Sequence, residues 1–196
     1  DDGSMLTLVQ PGAEHLPSYV AALEKGWSPD NVRGPAAAAE ELAQIAQDPQ
    51  LFLERMIDRE ALGDPIPLPN GSLVRRLPSI RYWLWDGEVC GVISCRWQKR
   101  TAALPAHVLG HVGYSVVPWK RRRGYGTDAL RQFLPIVRAE GLPYIELTTE
   151  PANQASQRVI TANGGVLVER FTKGPEYGGG TGLKFRIALV PARASA

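Results

Sequence analysis

The reading turns on residues 111–127, His111-Val112-Gly113-Tyr114-Ser115-Val116-Val117-Pro118-Trp119-Lys120-Arg121-Arg122-Arg123-Gly124-Tyr125-Gly126-Thr127. The first part is β-branched and aromatic and ends at a proline, so His111 to Val117 is expected to be a strand. From Thr127 to Glu140, Leu130, Phe133, Leu134 and Val137 recur on one helical face. Between strand and helix lies a basic turn containing Gly124 and Gly126. The opening amides of a helix have no intrahelical partner, the helix dipole places its positive end there, and glycine lets backbone approach a ligand closely. Arg121, Arg122 and Arg123 add charge and forked donors. Residues Arg121, Arg122, Arg123, Gly124, Tyr125, Gly126 and Thr127 therefore read as a diphosphate site. The turn lacks the Gly-Lys-Ser/Thr ending of a P-loop, and its strand follows a hairpin instead of opening a βαβ unit. Nucleotide hydrolysis and a Rossmann site both fit poorly.

Working outward, Ser79 to Trp85 and Val89 to Trp97 are strands flanking Asp86-Gly87, the dipeptide of a two-residue hairpin turn. On the other side, Tyr144 to Thr149 is a strand. Asn153 to Asn163 is a helix opened by an Asn cap and closed by Gly164-Gly165, and Val166 to Phe171 and Leu183 to Val190 are strands. Toward the N-terminus, Leu6 to Val9 is β-prone, and Ala13 to Lys25, Ala36 to Gln47 and Leu51 to Arg59 carry helical patterns. Residues 63–78 hold Pro65, Pro67, Pro69 and Pro78 and are expected to be an ordered surface connection. The order predicts one α/β domain over residues 1–196, with a mixed, mostly antiparallel sheet and flanking helices. Within it, residues 5–78 are mostly helical and 79–190 form the core sheet, while residues 1–4 read as a cloning scar ahead of Met5.

Composition narrows the partners. Lys and Arg total 22 against 20 Asp and Glu, a net charge of +2, so neither nucleic acid nor an anionic membrane is demanded. Lys120 to Arg123 keep a nucleic-acid module as a minor alternative. No run approaches the length of a membrane span. Cys90 and Cys95 are the only cysteines; on one regular strand their odd separation puts them on opposite faces, which argues against a disulfide and for a reducing, cytoplasmic setting.

Arg121-x-x-Gly124-x-Gly126 after a strand resembles the Arg/Gln-x-x-Gly-x-Gly/Ala motif of the GNAT family of N-acetyltransferases. Residues 111–118 are similar to that family's fourth strand, Tyr144 to Thr149 to its fifth, and Asn153-x-x-Ser156 with Gly164-Gly165 to its next helix and turn. Gly110-His111-Val112-Gly113-Tyr114 with Asn163-Gly164-Gly165 resembles a bacterial subgroup of uncharacterised predicted acetyltransferases. The likeness spans about residues 79–190, and the first 78 residues match loosely. It implies a GNAT-like fold with splayed fourth and fifth strands and acetyl-CoA as co-substrate, with no metal. Pantetheine would add as a pseudo-strand at Val116 and Val117, the pyrophosphate would sit on amides from Arg122 to Thr127, and Asn153 and Ser156 would face the pantetheine arm. By sequence Asn153 is equally a helix cap.

The resemblance further implies direct attack by a primary amine of a small molecule or peptide. His111 is the candidate base, with Glu146 and Glu150 as alternatives. Where many relatives carry a Tyr that protonates the leaving thiolate, this chain has Ile160, so either Tyr114 or Tyr177 is the candidate acid or the thiolate leaves with help only from backbone dipoles. If the missing Tyr signals lost chemistry, the domain is instead a non-catalytic acetyl-CoA sensor. The glycine-rich loop 174–182 is a candidate lid, and Trp83, Trp85, Trp97 and Trp119 are candidates for an aromatic acceptor pocket. The oligomeric state is open, a homodimer included.

Overall fold

The computed structural model describes residues 5–68 and 71–189. The expectations for residues 1–4, for Pro69 and Asn70 and for Val190 lie outside the described residues. The elements run β1 (Thr7–Val9), α1 (Leu16–Glu24), α2 (Pro35–Gln47), α3 (Pro49–Glu54), β2 (Ile57–Asp58), β3 (Ile66–Pro67), β4 (Leu73–Val74), β5 (Ser79–Trp85), β6 (Val89–Arg96), β7 (Val112–Val116), α4 (Tyr125–Ala139), β8 (Tyr144–Thr149), α5 (Gln154–Ala162), β9 (Val166–Thr172) and β10 (Thr181–Ala188). Strands β1, β5, β6 and β7 form one sheet, with β2 also on β5; β8, β10 and β9 form a second, and β3 pairs with β4. Every register in them is antiparallel.

The α/β class with flanking helices is as expected, and the splay is complete enough to divide the expected mixed sheet into two antiparallel ones. β7 and β8 form no ladder among the described residues; at their near ends the His111 N–H donates to the Glu146 carbonyl at 2.8 Å.

The first sheet has two apolar faces because its side chains alternate. Ile80, Leu84, Ile93 and Val112 pack with Leu130, Phe133 and Val137 of α4, and this core continues into Ile145, Leu147, Phe185 and Ile187 of the second sheet. Trp83, Val92 and Val117 face the other way, onto Tyr19 and Leu23 of α1 and Phe52 of α3. Tyr19 stacks on Trp83 with centroids 4.4 Å apart and planes 9° apart.

Three local expectations are corrected. The helix expected over Leu51 to Arg59 starts at Pro49, where Asp48 caps the Leu51 N–H, and stops at Glu54. Ile57-Asp58 then pairs with Ile80-Ser79, and the Arg81 N–H binds the Met56 carbonyl at 2.8 Å, so the sheet edge claims the chain. The hairpin loop spans three residues, 86–88, because Trp85 pairs with Val89 and the Asp86 N–H donates to the Glu88 carbonyl. Finally, Leu84 opposes Gly91 while Trp85 opposes Val89, leaving Cys90 as an extra, bulged residue. The bulge flips the alternation, so Cys90 and Cys95 both face the α4 side, not opposite sides. They are free thiols, and burial pushes each up to about 12.

Gly91 makes this bulge sterically possible: a Cβ there would lie 2.1 Å from the Ser115 carbonyl oxygen, at a backbone φ of 155°. Gly91→Ala is expected to lower stability by roughly 2–4 kcal/mol in urea denaturation, since β7 must move to admit the methyl. An unchanged midpoint would show that β7 is not held this tightly.

Candidate active site

After β7, Pro118–Lys120 make one 3-10 turn and the chain enters α4 at Tyr125, two residues before the expected Thr127. Gly124 is the helix cap in a left-handed conformation (φ 75°), and Arg122 also has positive φ, 63°. The first bond of the helix runs from the Asp128 N–H to the Gly124 carbonyl at 3.1 Å, so the amides of Gly126 and Thr127 precede the ladder. Arg121, Arg122 and Arg123 are exposed around them.

Tyr125 and Lys120 point elsewhere. The Tyr125 hydroxyl donates to Asp86 at 2.7 Å, and the Lys120 ammonium, nearly buried, binds Asp86 at 2.6 Å and Glu88 at 3.3 Å. The side chain of Tyr125 therefore anchors the turn to the β5–β6 hairpin and leaves only its backbone near a ligand. The polyanion platform read at Lys120 to Arg123 loses its first cation for the same reason. Burial alone would raise the Asp86 carboxyl, but hydrogen bonds from Lys120 and Tyr125 outweigh it and hold it at about 2.

Tyr114 and Ser156 come together: the Tyr114 hydroxyl donates to Ser156 Oγ at 3.2 Å, at the first turn of α5. The Asn153 side chain caps α5 by accepting the Ser156 N–H at 3.1 Å, which spends its oxygen on the helix. A Cβ on Gly126 would lie 3.3 Å from both the Tyr114 ring and Val159, so α4, α5 and Tyr114 meet with little spare room. Asn163, at the end of α5, donates to the carbonyls of Thr127 (3.2 Å) and Val159 (2.9 Å) and ties the two helices together.

The register of β7 on β6 fixes which amides face the splay. The Val117 N–H donates to the Cys90 carbonyl at 2.8 Å, so residues 113, 115 and 117 turn their backbone to β6, while Tyr114 and Val116 turn theirs to the gap beside β8. Val116 thus turns its backbone toward the gap. Val117 does not: its carbonyl accepts the Lys120 N–H, and its side chain is buried under α1. Sequence reasoning missed the loop after α1. Asn31 donates to the Tyr114 carbonyl at 3.1 Å, and Trp27 Nε1 donates to Ser115 Oγ at 3.0 Å.

The expected base is a structural rivet. His111 is 1% exposed; Nδ1 accepts the Glu146 N–H and Nε2 lies 2.9 Å from the Ala102 carbonyl, so both nitrogens are committed to backbone. Burial pushes its pKa below the ordinary value, and the ring stays neutral with its proton on Nε2. Glu146 is ion-paired with Arg186 at 3.0 Å. Glu150 lies on the surface beside Lys173, whose hydrogen bond holds its carboxyl below the usual range, the wrong direction for a base. The Tyr177 hydroxyl donates to the His107 carbonyl and pins loop 174–182 onto the loop before β7. Ile160 is core. The tryptophans do not converge on a pocket: Trp83 and Trp97 are buried, Trp85 lies against His15, and Trp119 lies on the surface beneath Lys25.

Two outcomes follow. Asp86→Asn, by leaving Lys120 without its closest counter-charge, should cost on the order of 2 kcal/mol at neutral pH. The folded carboxyl titrates below its ordinary 3.8, so its stabilisation is complete above that value and lost as the pH falls toward about 2, where urea titrations of variant and wild type should converge. His111→Ala should lower stability by roughly 2–4 kcal/mol, because the buried Glu146 amide and the half-buried Ala102 carbonyl lose their partner; a fully stable variant would remove the rivet.

Among the described residues no group of three His, Cys, Asp or Glu side chains is placed to hold a metal ion, and no helix is long and apolar enough to cross a membrane. The fold is shared with solved acetyltransferases. The microcin C7 self-immunity acetyltransferase MccE, solved with acetyl-CoA and AMP, superposes with a TM-score of 0.62 at 11% identity, over 96% of this chain and 93% of that one. RimL, a ribosomal L7/L12 α-N-protein acetyltransferase solved with coenzyme A, gives 0.63 at 16% identity, over 93% of each chain. YncA from Salmonella typhimurium, described as a putative acetyltransferase with its cofactor acetyl-CoA, gives 0.53 at 14% identity, over 96% of each. No curated protein sequence matches significantly. The model of the acetyltransferase (GNAT) domain matches residues 6–166, most of the sequence, and the chain belongs to that family.

Proposed function

We propose that the protein transfers the acetyl group of acetyl-CoA to a primary amine by direct attack, the described residues acting as one catalytic unit. The observation that carries this reading is the start of α4: amides of Gly126 and Thr127 ahead of the helix ladder, a left-handed glycine cap and exposed arginines, all at the mouth of a gap edged by the Val116 backbone of β7. Such an arrangement suits a diphosphate followed by an extended arm. Arg121, Arg122, Arg123 and Gly124, with the backbone of Tyr125, Gly126 and Thr127, would hold the pyrophosphate. Val116 would pair with the pantetheine, with Ser156 beside it.

Tyr114 is the residue we assign as proton donor to the departing thiolate, in place of the acid absent at Ile160. Burial raises its pKa, so the phenol keeps its proton, and its hydroxyl lies on Ser156 at the same end of the gap. The amine, with an ordinary pKa of about 10.4, must shed a proton before attack, and solvent takes it, since His111 offers no lone pair. The two unpaired, buried thiols suit a reducing compartment such as the cytoplasm.

In calorimetry the protein should bind acetyl-CoA, and Gly124→Glu should weaken binding at least about tenfold by setting a carboxylate against the phosphates. Gly124→Asn, which tolerates left-handed backbone, should bind nearly as well. Equal affinity in the Glu variant would end the assignment. Tyr114→Phe should lower kcat about a hundredfold with little change in acetyl-CoA affinity; an unchanged kcat would remove Tyr114 from the chemistry.

A further inference from the structure

The face of the first sheet away from α4 is apolar only where α1 and α3 cover it. Register places Ser79, Arg81 and Trp83 of β5 beside Arg96, Ser94 and Val92 of β6, with Gly113, Ser115 and Val117 of β7 next in line. Trp83, Val92 and Val117 lie under α1. Arg81 is covered too, and its charge is met by Glu41 at 3.1 Å. Beyond them the floor changes to Ser94, Arg96, Gly113 and Ser115, and a Cβ built on Gly113 meets nothing within 4 Å, so the space above β7 is open there.

Arg96 is the unusual member of this floor. Its side chain is open to solvent, and the surrounding protein lowers its pKa from the ordinary value by desolvation. Its Nε donates to the Gly110 carbonyl at 3.0 Å, which fixes the plane of the group. Among the described residues no carboxylate lies within salt-bridge distance of it and no acceptor takes its two terminal nitrogens. By contrast, Arg81 and Arg186 each have a carboxylate, at 3.1 and 3.0 Å respectively. Tyr177 and Asp30 are near enough to bear on Arg96 electrostatically. The segment around Asp30 borders the splay, since the Ser28 carbonyl accepts from Ser115 Oγ and Asn31 holds the Tyr114 carbonyl.

From this arrangement we infer that the amine acceptor carries an anionic oxygen group, and that the terminal nitrogens of Arg96 bind it in a two-pronged contact on the sheet face opposite α4. The inference rests on the acetyl-transfer reading and names the acceptor class for it. An oriented guanidinium with its Nε already spent presents two parallel N–H donors, which match the two oxygens of a carboxylate or a phosphate. The open floor at Gly113 leaves room for the acceptor between Arg96 and the β7 edge, where the thioester would lie. Both sources of the anion share this chemistry.

The test compares matched acceptors that differ only in the anion: phenylalanine against phenylalaninamide for the carboxylate, and phosphoethanolamine against ethanolamine for the phosphate. Thiol release from acetyl-CoA is followed in wild type, Arg96→Gln and Arg96→Lys, with acetyl-CoA affinity measured separately by calorimetry. The expected result is a kcat/KM for at least one anionic acceptor that exceeds its neutral partner by about tenfold or more. That preference should vanish in Arg96→Gln and shrink in Arg96→Lys, which keeps the charge but not the fork. The pair that shows the preference identifies the anion. Equal use of charged and neutral acceptors, a preference that survives Arg96→Gln, or no transfer to any anionic acceptor while acetyl-CoA binds normally would each overturn the inference. Failure to bind acetyl-CoA at all would instead bring down the reading beneath it. Melting temperatures within a few degrees of wild type exclude misfolding as the cause of a lost preference.

Discussion

Two strands that touch at one point and then part set up everything else in this molecule. At the near end of β7, His111 closes a small ring of bonds with Glu146, giving its own N–H to the carbonyl and receiving the amide on Nδ1, while Nε2 reaches the Ala102 carbonyl. Past that rivet β7 and β8 make no ladder. Asn31 meets the Tyr114 carbonyl, while the backbone of Val116 is left facing a gap, a costly arrangement unless something fills it. A strand edge that leads directly into a polar, positively charged helix start is the feature on which the proposed binding site rests.

The gap is kept open from both sides. On the far side of β7, the bulge at Cys90 and the close approach of Gly91 to Ser115 hold β6 and β7 in tight register. At the top, Asp86 grips Lys120 and Tyr125 and so fastens the turn before α4 to the hairpin. Asn163 ties α5 to the first turn of α4. Each contact lies outside the proposed ligand surface, yet each limits how far a groove element can move, which is what a preorganised anion site requires.

Much of this was legible in the sequence, and the parts that were not share a cause. Strand boundaries around residues 79–97 and 111–117 and the helix after Thr127 follow from local periodicity and from Pro118, both short-range signals. The turn proposed to hold a diphosphate was readable as a helix start because its signals are contained in seven consecutive residues. His111 was misread as a base because its partners, Ala102 and Glu146, lie nine and 35 positions away. Lys120 looked like one of four equivalent cations, but its counter-ion sits on a hairpin 34 residues earlier. The opposite-face argument for Cys90 and Cys95 failed at a single bulged residue, since one inserted position inverts every side chain beyond it. Asn31 and Arg96 gave no signal at all, because an asparagine in a loop and an arginine at a strand end are ordinary until the fold shows what they border.

The alternation that hid these residues also gives β7 two chemically different faces. In β7, even-numbered positions send their side chains toward α4 and α5 and their backbone into the gap, whereas odd-numbered positions send side chains to the opposite face and spend their backbone on β6. Tyr114 and Val116 thus meet whatever lies along α4, while Gly113 and Ser115 meet whatever lies over Arg96. A molecule in the gap is reached from the opposite face only through the plane of the sheet, at the place where β8 has moved away. The splay is in this sense a window between two chemically different rooms, one lined by helix amides and arginines, the other floored by small residues and a single oriented guanidinium. Because the wall between them is one strand thick, the proposed transfer would need no large motion, only that both rooms be filled together.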